Sequence, residues 1–237
     1  MIMVQSYLKR NNFLKLSPKA VFFDMDGILF DSMPHHTIAW VKAMNDSGLP
    51  FTQKEAYMYE GQPGVDTINN VFRRVHGKES TEEERTAIYE LKGKYFNKLG
   101  EPKRIPFALE MTQKLKEKGY LLYVVTGSAH PTLIDNIQNY FPDIFPEENI
   151  ISAFDVPKGK PNPDPYLKAL RLSKAQPWEA VVVENAPLGV QSSSTAQIFT
   201  IGVNTGPLEK NVLTDSGADI VLDSMKELFE KWDDFNF

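Results

Sequence analysis

The chain has 237 residues, 42% of them hydrophobic and 24% charged, which fits a globular fold with a sizeable core and excludes a disordered chain. It has no cysteine, which removes disulfide frameworks, thiolate zinc sites and cysteine nucleophiles. The net charge of −5 argues against nucleic acid or an anionic membrane surface as a partner, and no apolar run approaches the ~20 residues that span a bilayer. The first twenty residues lack a long apolar stretch and a small-residue cleavage site, so they read as a short tail rather than a signal peptide. A cytoplasmic, monomeric enzyme is the expectation.

Ala20–Phe23 is the first short apolar run and suits a strand buried on both faces. Asp24-Met25-Asp26-Gly27 follows directly. Two carboxylates this close repel each other unless a cation or a shared proton relieves them. Oxygen-rich clusters of this kind suit Mg²⁺. Gly27 lets the chain turn sharply just past the strand. A solvated Asp-x-Asp-Gly turn is the bland alternative. Residues 34–100 carry no strand pattern. His35–Ser47, Lys54–Glu60, Thr67–Val75 and Glu82–Leu99 read as helices, the last opened by a capping box of Thr81 and Glu84. The pattern predicts an all-helical domain over 34–100, hinged near 32–34 and 100–106, inserted into a core made of 1–33 and 101–237.

Beyond the insert, helical patterns at Ala108–Lys118, Pro131–Tyr140, Pro165–Leu172 and Pro187–Ala196 alternate with apolar runs. The runs are Leu121–Val125, Val181–Val183, Phe199–Val203 and Ile220–Leu222. This alternation predicts an α/β fold with a mostly parallel sheet, whose working residues lie past the strands' carboxyl ends. Lys231–Phe237 reads as a loosely packed end. Three motifs fall at those carboxyl ends. Thr126-Gly127-Ser128 can hold phosphate oxygens through a hydroxyl and backbone N–H groups, or simply cap a helix. Lys160 lies in a proline-stiffened loop, where it can neutralise a phosphoryl oxygen or stand solvated. Glu184-Asn185 places an acid and an amide before a helix; Asn185 as N-cap and Glu184 as partner of a lysine are the structural alternatives.

Together the four motifs resemble those of the haloacid dehalogenase (HAD) superfamily, over Lys19 to Asp223. The insert resembles the α-helical cap of its β-phosphoglucomutase-like subfamily. The resemblance implies a Rossmann-like core and Mg²⁺-dependent transfer of a phosphoryl group from a small phosphorylated substrate. It implies Asp24 as the nucleophile that becomes an aspartyl-phosphate and Asp26 as general acid/base. Thr126, Gly127, Ser128 and Lys160 would hold the phosphoryl group, with His36 on the substrate side. Mg²⁺ would lie among Asp24, the backbone carbonyl of Asp26, Glu184 and Asn185. Such a metal and Lys160 would reduce the repulsion between a carboxylate nucleophile and an anionic phosphoryl group.

Two departures narrow the reading. The fourth motif has Asn185 where the subfamily often has Asp. The segment Tyr59-Glu60-Gly61-Gln62-Pro63-Gly64 stands where β-phosphoglucomutases carry a Lys-Gly and a following Arg. Glu60 there would repel a sugar phosphate's second phosphate. It could instead reach the metal and replace the charge missing at Asn185, leaving room only for a small leaving group. In this the chain resembles HAD-type inorganic pyrophosphatases, and inorganic pyrophosphate is the favoured substrate. A β-phosphoglucomutase, a non-catalytic phosphate-binding relative, and a Glu60 that merely ends a helix in solvent are the alternatives.

Overall fold

The computed structural model describes residues 2–128, 131–235 and 237. Six strands, β1 (Ala20–Phe23), β2 (Leu121–Val125), β3 (Ile150–Ile151), β4 (Ala180–Glu184), β5 (Phe199–Val203) and β6 (Ile220–Leu222), form one parallel sheet. Their order is β3-β2-β1-β4-β5-β6. The expected strands are all present. β3 has no counterpart among them because two residues carry no readable periodicity.

Apart from Leu121, Ile150 and Val221, the strand residues are buried, on both faces of the sheet, and sort by alternation. Val21, Phe23, Val124, Val181, Val183 and Ile201 join one core cluster. It is covered by helices α6 (Ala108–Glu117), α7 (Pro131–Tyr140) and α11 (Met225–Lys231). Phe22, Val125 and Val182 face a second cluster with Tyr166, Ala169 and Leu170 of α8 (Asp164–Ser173). Phe23 of β1 pairs with Val124 on one side and Val183 on the other. The residues that follow them therefore emerge together, where the strand order reverses direction beside β1, the usual ligand position in such sheets.

Between β1 and β2 lie α2 (Met33–Asp46), α3 (Gln53–Met58), α4 (Gly64–His76) and α5 (Glu82–Asn97). They pack around their own apolar cluster, which includes Met44, Phe51, Ile68, Phe72 and Ile88. The Thr81–Glu84 capping box forms: Thr81 Oγ1 accepts from Glu84 N at 3.2 Å, and Glu84 Oε2 accepts from Thr81 N at 2.7 Å.

Both chain ends differ from expectation. The segment read as a tail contains helix α1 (Ile2–Asn11), and Tyr7 is fully buried against Phe199, its hydroxyl donating to Gln197 O at 2.9 Å. The end read as loose forms a short 3₁₀ turn over Trp232–Phe235. Trp232 is buried, and the Phe237 ring packs on Trp232 and Phe199. In both places one aromatic ring supplies enough apolar area to anchor a polar segment. Among the described residues no helix is long and apolar enough to cross a membrane.

Candidate active site

Asp24 continues β1 by one hydrogen bond, its N–H donating to Val183 O at 3.0 Å. The chain then folds back: Gly27 N donates to Phe30 O at 2.7 Å, and Phe30 N to Met25 O at 3.0 Å. Gly27 has φ +84°, and a Cβ there would lie 2.1 Å from Asn185 Nδ2, so both conformation and space require glycine.

The Asp24 carboxylate is buried. Its Oδ1 accepts from Lys160 Nζ at 2.6 Å; its Oδ2 has no partner. Lys160 is 0% exposed and uses its three protons on Asp24, on Glu184 Oε1 at 2.6 Å and on Val125 O at 2.9 Å. Burial and then the Glu184 charge push the Asp24 carboxyl up, against the pull of Lys160. The two carboxylates on Lys160 raise its ammonium despite burial.

Both oxygens of the buried Glu184 carboxylate are engaged. Its Oε1 accepts from Lys160 and from Tyr166 Oη at 2.9 Å, and its Oε2 from the backbone N–H groups of Asn185 and Ala186, each at 3.0 Å. Four donors fill the lone-pair directions of a carboxylate. Glu184 fixes Lys160 and the turn into helix α9 (Pro187–Thr195). Asn185 does not cap that helix, since Ala186 is the N-cap residue. Its Nδ2 donates to Glu60 Oε1 at 2.8 Å, and its buried Oδ1 has no partner.

Glu60 is thus neither helical nor solvated. It lies two residues past α3 and is buried at the seam between insert and sheet. Burial and then the Asp24 charge push its carboxyl well up. The Asp26 side chain turns toward the insert instead. Its Oδ1 accepts from Ser32 Oγ at 2.5 Å and from His36 Nε2 at 3.1 Å. Burial alone would raise this carboxyl, but His36 and Ser32 bring it below its ordinary value. Both ring nitrogens of His36 are engaged: its Nε2 is on Asp26, and its Nδ1 accepts from Lys92 Nζ at 2.9 Å.

Lys92 is the residue that the sequence reading missed. It is buried in α5, with its ammonium over the Phe96 and Trp40 rings at 5.0 and 5.4 Å. Burial lowers it to about 8. Ile88, Lys92 and Phe96 recur at four-residue spacing on the buried face of α5. A lysine inside an apolar stripe was the available signal. Ser32 and Tyr166 were also missed, and nothing in their local sequence marks them.

Asp24, Asp26, His36, Glu60, Gly127 and Ser128 line one small cavity of ≈ 60 Å³. Thr126 is buried beside it, its Oγ1 accepting from Ser128 N at 2.9 Å. Lys160, Glu184 and Asn185 stand behind Asp24 rather than on the cavity wall. Among the described residues no three His, Asp or Glu side chains are arranged to hold a metal. Two unpartnered buried oxygens of this site, Asp24 Oδ2 and Asn185 Oδ1, are nonetheless hard donors where negative charge is in surplus. That donor chemistry fits a cation such as Mg²⁺ through mixed carboxylate and amide ligands.

The fold and this arrangement define a phosphoryl-transfer type of site, and the sequence places it in a family. The profile of haloacid dehalogenase-like hydrolases matches residues 21–203, so the chain belongs to that family. It is 46% identical to a Bacteroides vulgatus protein provisionally named a β-phosphoglucomutase. That structure superposes with a TM-score of 0.95 and covers 99% of this chain and 96% of its own. The chain is also 28% identical to hexitol phosphatase A of Escherichia coli, over 89% of this chain and 93% of that one. To the β-phosphoglucomutase of Bacillus subtilis it is 22% identical, over 90% and 96%.

Proposed function

We propose that this protein is a Mg²⁺-dependent phosphohydrolase working through Asp24, with inorganic pyrophosphate as its favoured substrate. Family members generally use Mg²⁺. Asp24 Oδ2 and Asn185 Oδ1 would hold the metal, with the Asp26 backbone carbonyl and Glu60 as further oxygen donors. A bound Mg²⁺ would offset charge on the phosphoryl oxygens. In the first step the Asp24 carboxylate attacks phosphorus through the oxygen that does not hold the metal, the bond to the leaving oxygen breaks, and a protonated Asp26 gives that oxygen its proton. In the second, Asp26 takes a proton from the water that opens the aspartyl-phosphate, releasing phosphate and restoring Asp24. Lys160 holds Asp24 in place and neutralises part of the charge.

The observation that carries the pyrophosphate reading is Glu60. An acid from the insert closes against Asn185 at 2.8 Å, over a cavity of only ≈ 60 Å³. That leaves little room beside the metal position, and it sets an acid rather than a base where a sugar phosphate's second phosphate would seek a cation. A second reading, hydrolysis or mutation of sugar phosphates, is supported by the relatives, whose names point to hexitol phosphates and phosphoglucose.

Phosphate release with Mg²⁺ from pyrophosphate, hexitol and hexose phosphates and β-glucose 1-phosphate separates these readings. The highest kcat/KM is expected on pyrophosphate. Preference for a sugar or polyol phosphate overturns the substrate choice. Glucose 6-phosphate formed with little free phosphate identifies a mutase.

A further inference from the structure

The segment of the insert that carries Glu60 enters the sheet edge where core glycines make room for it. Gly127, Gly159 and Gly206, each from a different loop beyond the strands' carboxyl ends, face the backbone of Gly61, the ring of Pro63 and the ring of Tyr57. None of the three glycines has a positive φ. Their backbones would accept alanine without strain, so what requires glycine is the space taken by the insert.

The three contacts differ in severity. A Cβ on residue 206 would lie 3.3 Å from Tyr57 Cε1, which a small shift of the ring relieves. On residue 127 it would lie 2.0 Å from the Gly61 carbonyl oxygen, but Gly127 belongs to the proposed phosphate-binding turn. On residue 159 it would lie 2.3 and 2.4 Å from Cγ and Cδ of Pro63, whose ring is fused to the backbone and cannot swing away. The next atom, Pro63 N, is at 3.6 Å, an ordinary contact. Only the ring stands in the way.

We propose that Gly159 is a positioning residue for Glu60: its missing side chain is the seat of Pro63, and seating Pro63 sets how deeply Glu60 reaches toward Asn185. A Cβ at residue 159 lifts the 57–63 segment off the core and withdraws the Glu60 carboxylate. Gly159 thereby limits the space left for a leaving group, through a residue remote in sequence and without contact with substrate. The part of this that concerns Glu60 rests on the function proposed above; the seating itself does not.

The test is a double-mutant cycle of Gly159→Ala and Pro63→Ala, read on the substrate that the wild type turns over fastest and by deuterium exchange of residues 57–63. Gly159→Ala should lower kcat/KM by about tenfold or more and speed exchange in that segment, while Pro63→Ala alone stays within about threefold. The double variant should return both readouts to within about threefold of wild type, because alanine at residue 63 removes both clashing atoms. Unchanged exchange and activity in Gly159→Ala would overturn the proposal. So would a loss that Pro63→Ala does not relieve, since the damage would then run through the neighbouring Lys160. If pyrophosphate is not hydrolysed but exchange still rises and is rescued, the seat stands and only the substrate reading falls.

Discussion

Replacing Lys92 by methionine should lower activity without lowering stability. Its ammonium is buried among Trp40, Tyr89 and Phe96, and burial lowers it from 10.5 to about 8. Holding that charge in the fold at neutral pH costs about 3 kcal/mol. The bond to His36 Nδ1 at 2.9 Å returns about 1–3 kcal/mol of this. Methionine has a similar length and no charge, so Lys92→Met should be neutral or stabilising by about 0–2 kcal/mol, a rise of up to about 6 °C in Tm. The pH dependence has a definite sign. Below about pH 8 folded and unfolded chains both hold the proton, and the full cost applies. Between about 8 and 10.5 only the unfolded chain holds it, so the wild type gains stability with rising pH and the gap to Lys92→Met closes. The turnover number should meanwhile fall about 10–100-fold, because His36 Nδ1 loses the donor that keeps the ring proton on Nε2, facing Asp26. Thermal melts from pH 6 to 10.5, with kcat at pH 7, check both arms. A variant that melts more than about 4 °C below wild type at pH 7, or one that keeps full turnover, refutes the reasoning.

Asp24→Asn should leave the fold intact, since Glu184 still neutralises Lys160, yet abolish turnover by about 10³-fold or more, as measured by phosphate release and circular dichroism. Glu184→Gln should lower stability by about 1–3 kcal/mol in urea melts, because an amide nitrogen then meets donors where an oxygen accepted, although Asp24 still neutralises Lys160, while the Mg²⁺ concentration for half-maximal activity stays within about twofold. A large change in that concentration would return Glu184 to the metal. Glu60→Gln should weaken apparent Mg²⁺ affinity and reduce pyrophosphate hydrolysis more than sugar phosphate hydrolysis, and Asn185→Asp should partly restore both. An unchanged substrate profile and Mg²⁺ dependence in Glu60→Gln would remove Glu60 from the site.

Five of the six strands were readable because each is a short run rich in Val, Ile, Phe and Leu that is mostly buried on both sheet faces, a pattern that no surface helix shares. The motif loops followed from them, since a residue just past a buried strand has one place to go. What escaped depends on partners distant in sequence. The orientation of Glu184 is set by Lys160, 24 residues away, and by Tyr166 on another element. The engagement of His36 is set by Lys92, 56 residues away. Helix α1 escaped because its anchor, Tyr7, docks on Gln197 and Phe199, contacts that no local window contains. Asn185 and Glu60 were individually ambiguous. Their 2.8 Å contact is what separates them from a helix cap and a solvated helix end.

Two aspartates separated by one residue are given opposite environments, and that contrast is what the surrounding structure builds. Asp24 is tied to the core: Lys160 holds one oxygen, and burial with the Glu184 charge pushes its carboxyl up while the other oxygen stays open. Asp26 is tied to the insert: His36, backed by Lys92, brings its carboxyl down. Those directions oppose the roles proposed for the pair, since a nucleophile is needed ionised and a general acid protonated; a cation bound at Asp24 would bring its carboxyl down. His36 and Lys92 belong to the inserted helices, and Glu60 to the turn between α3 and α4. The contrast therefore exists only while the insert rests on the core. Withdrawing it removes the acid beside Asn185 and the cation behind His36 and Asp26 in one movement, leaving Asp24 and Lys160 paired on the core alone.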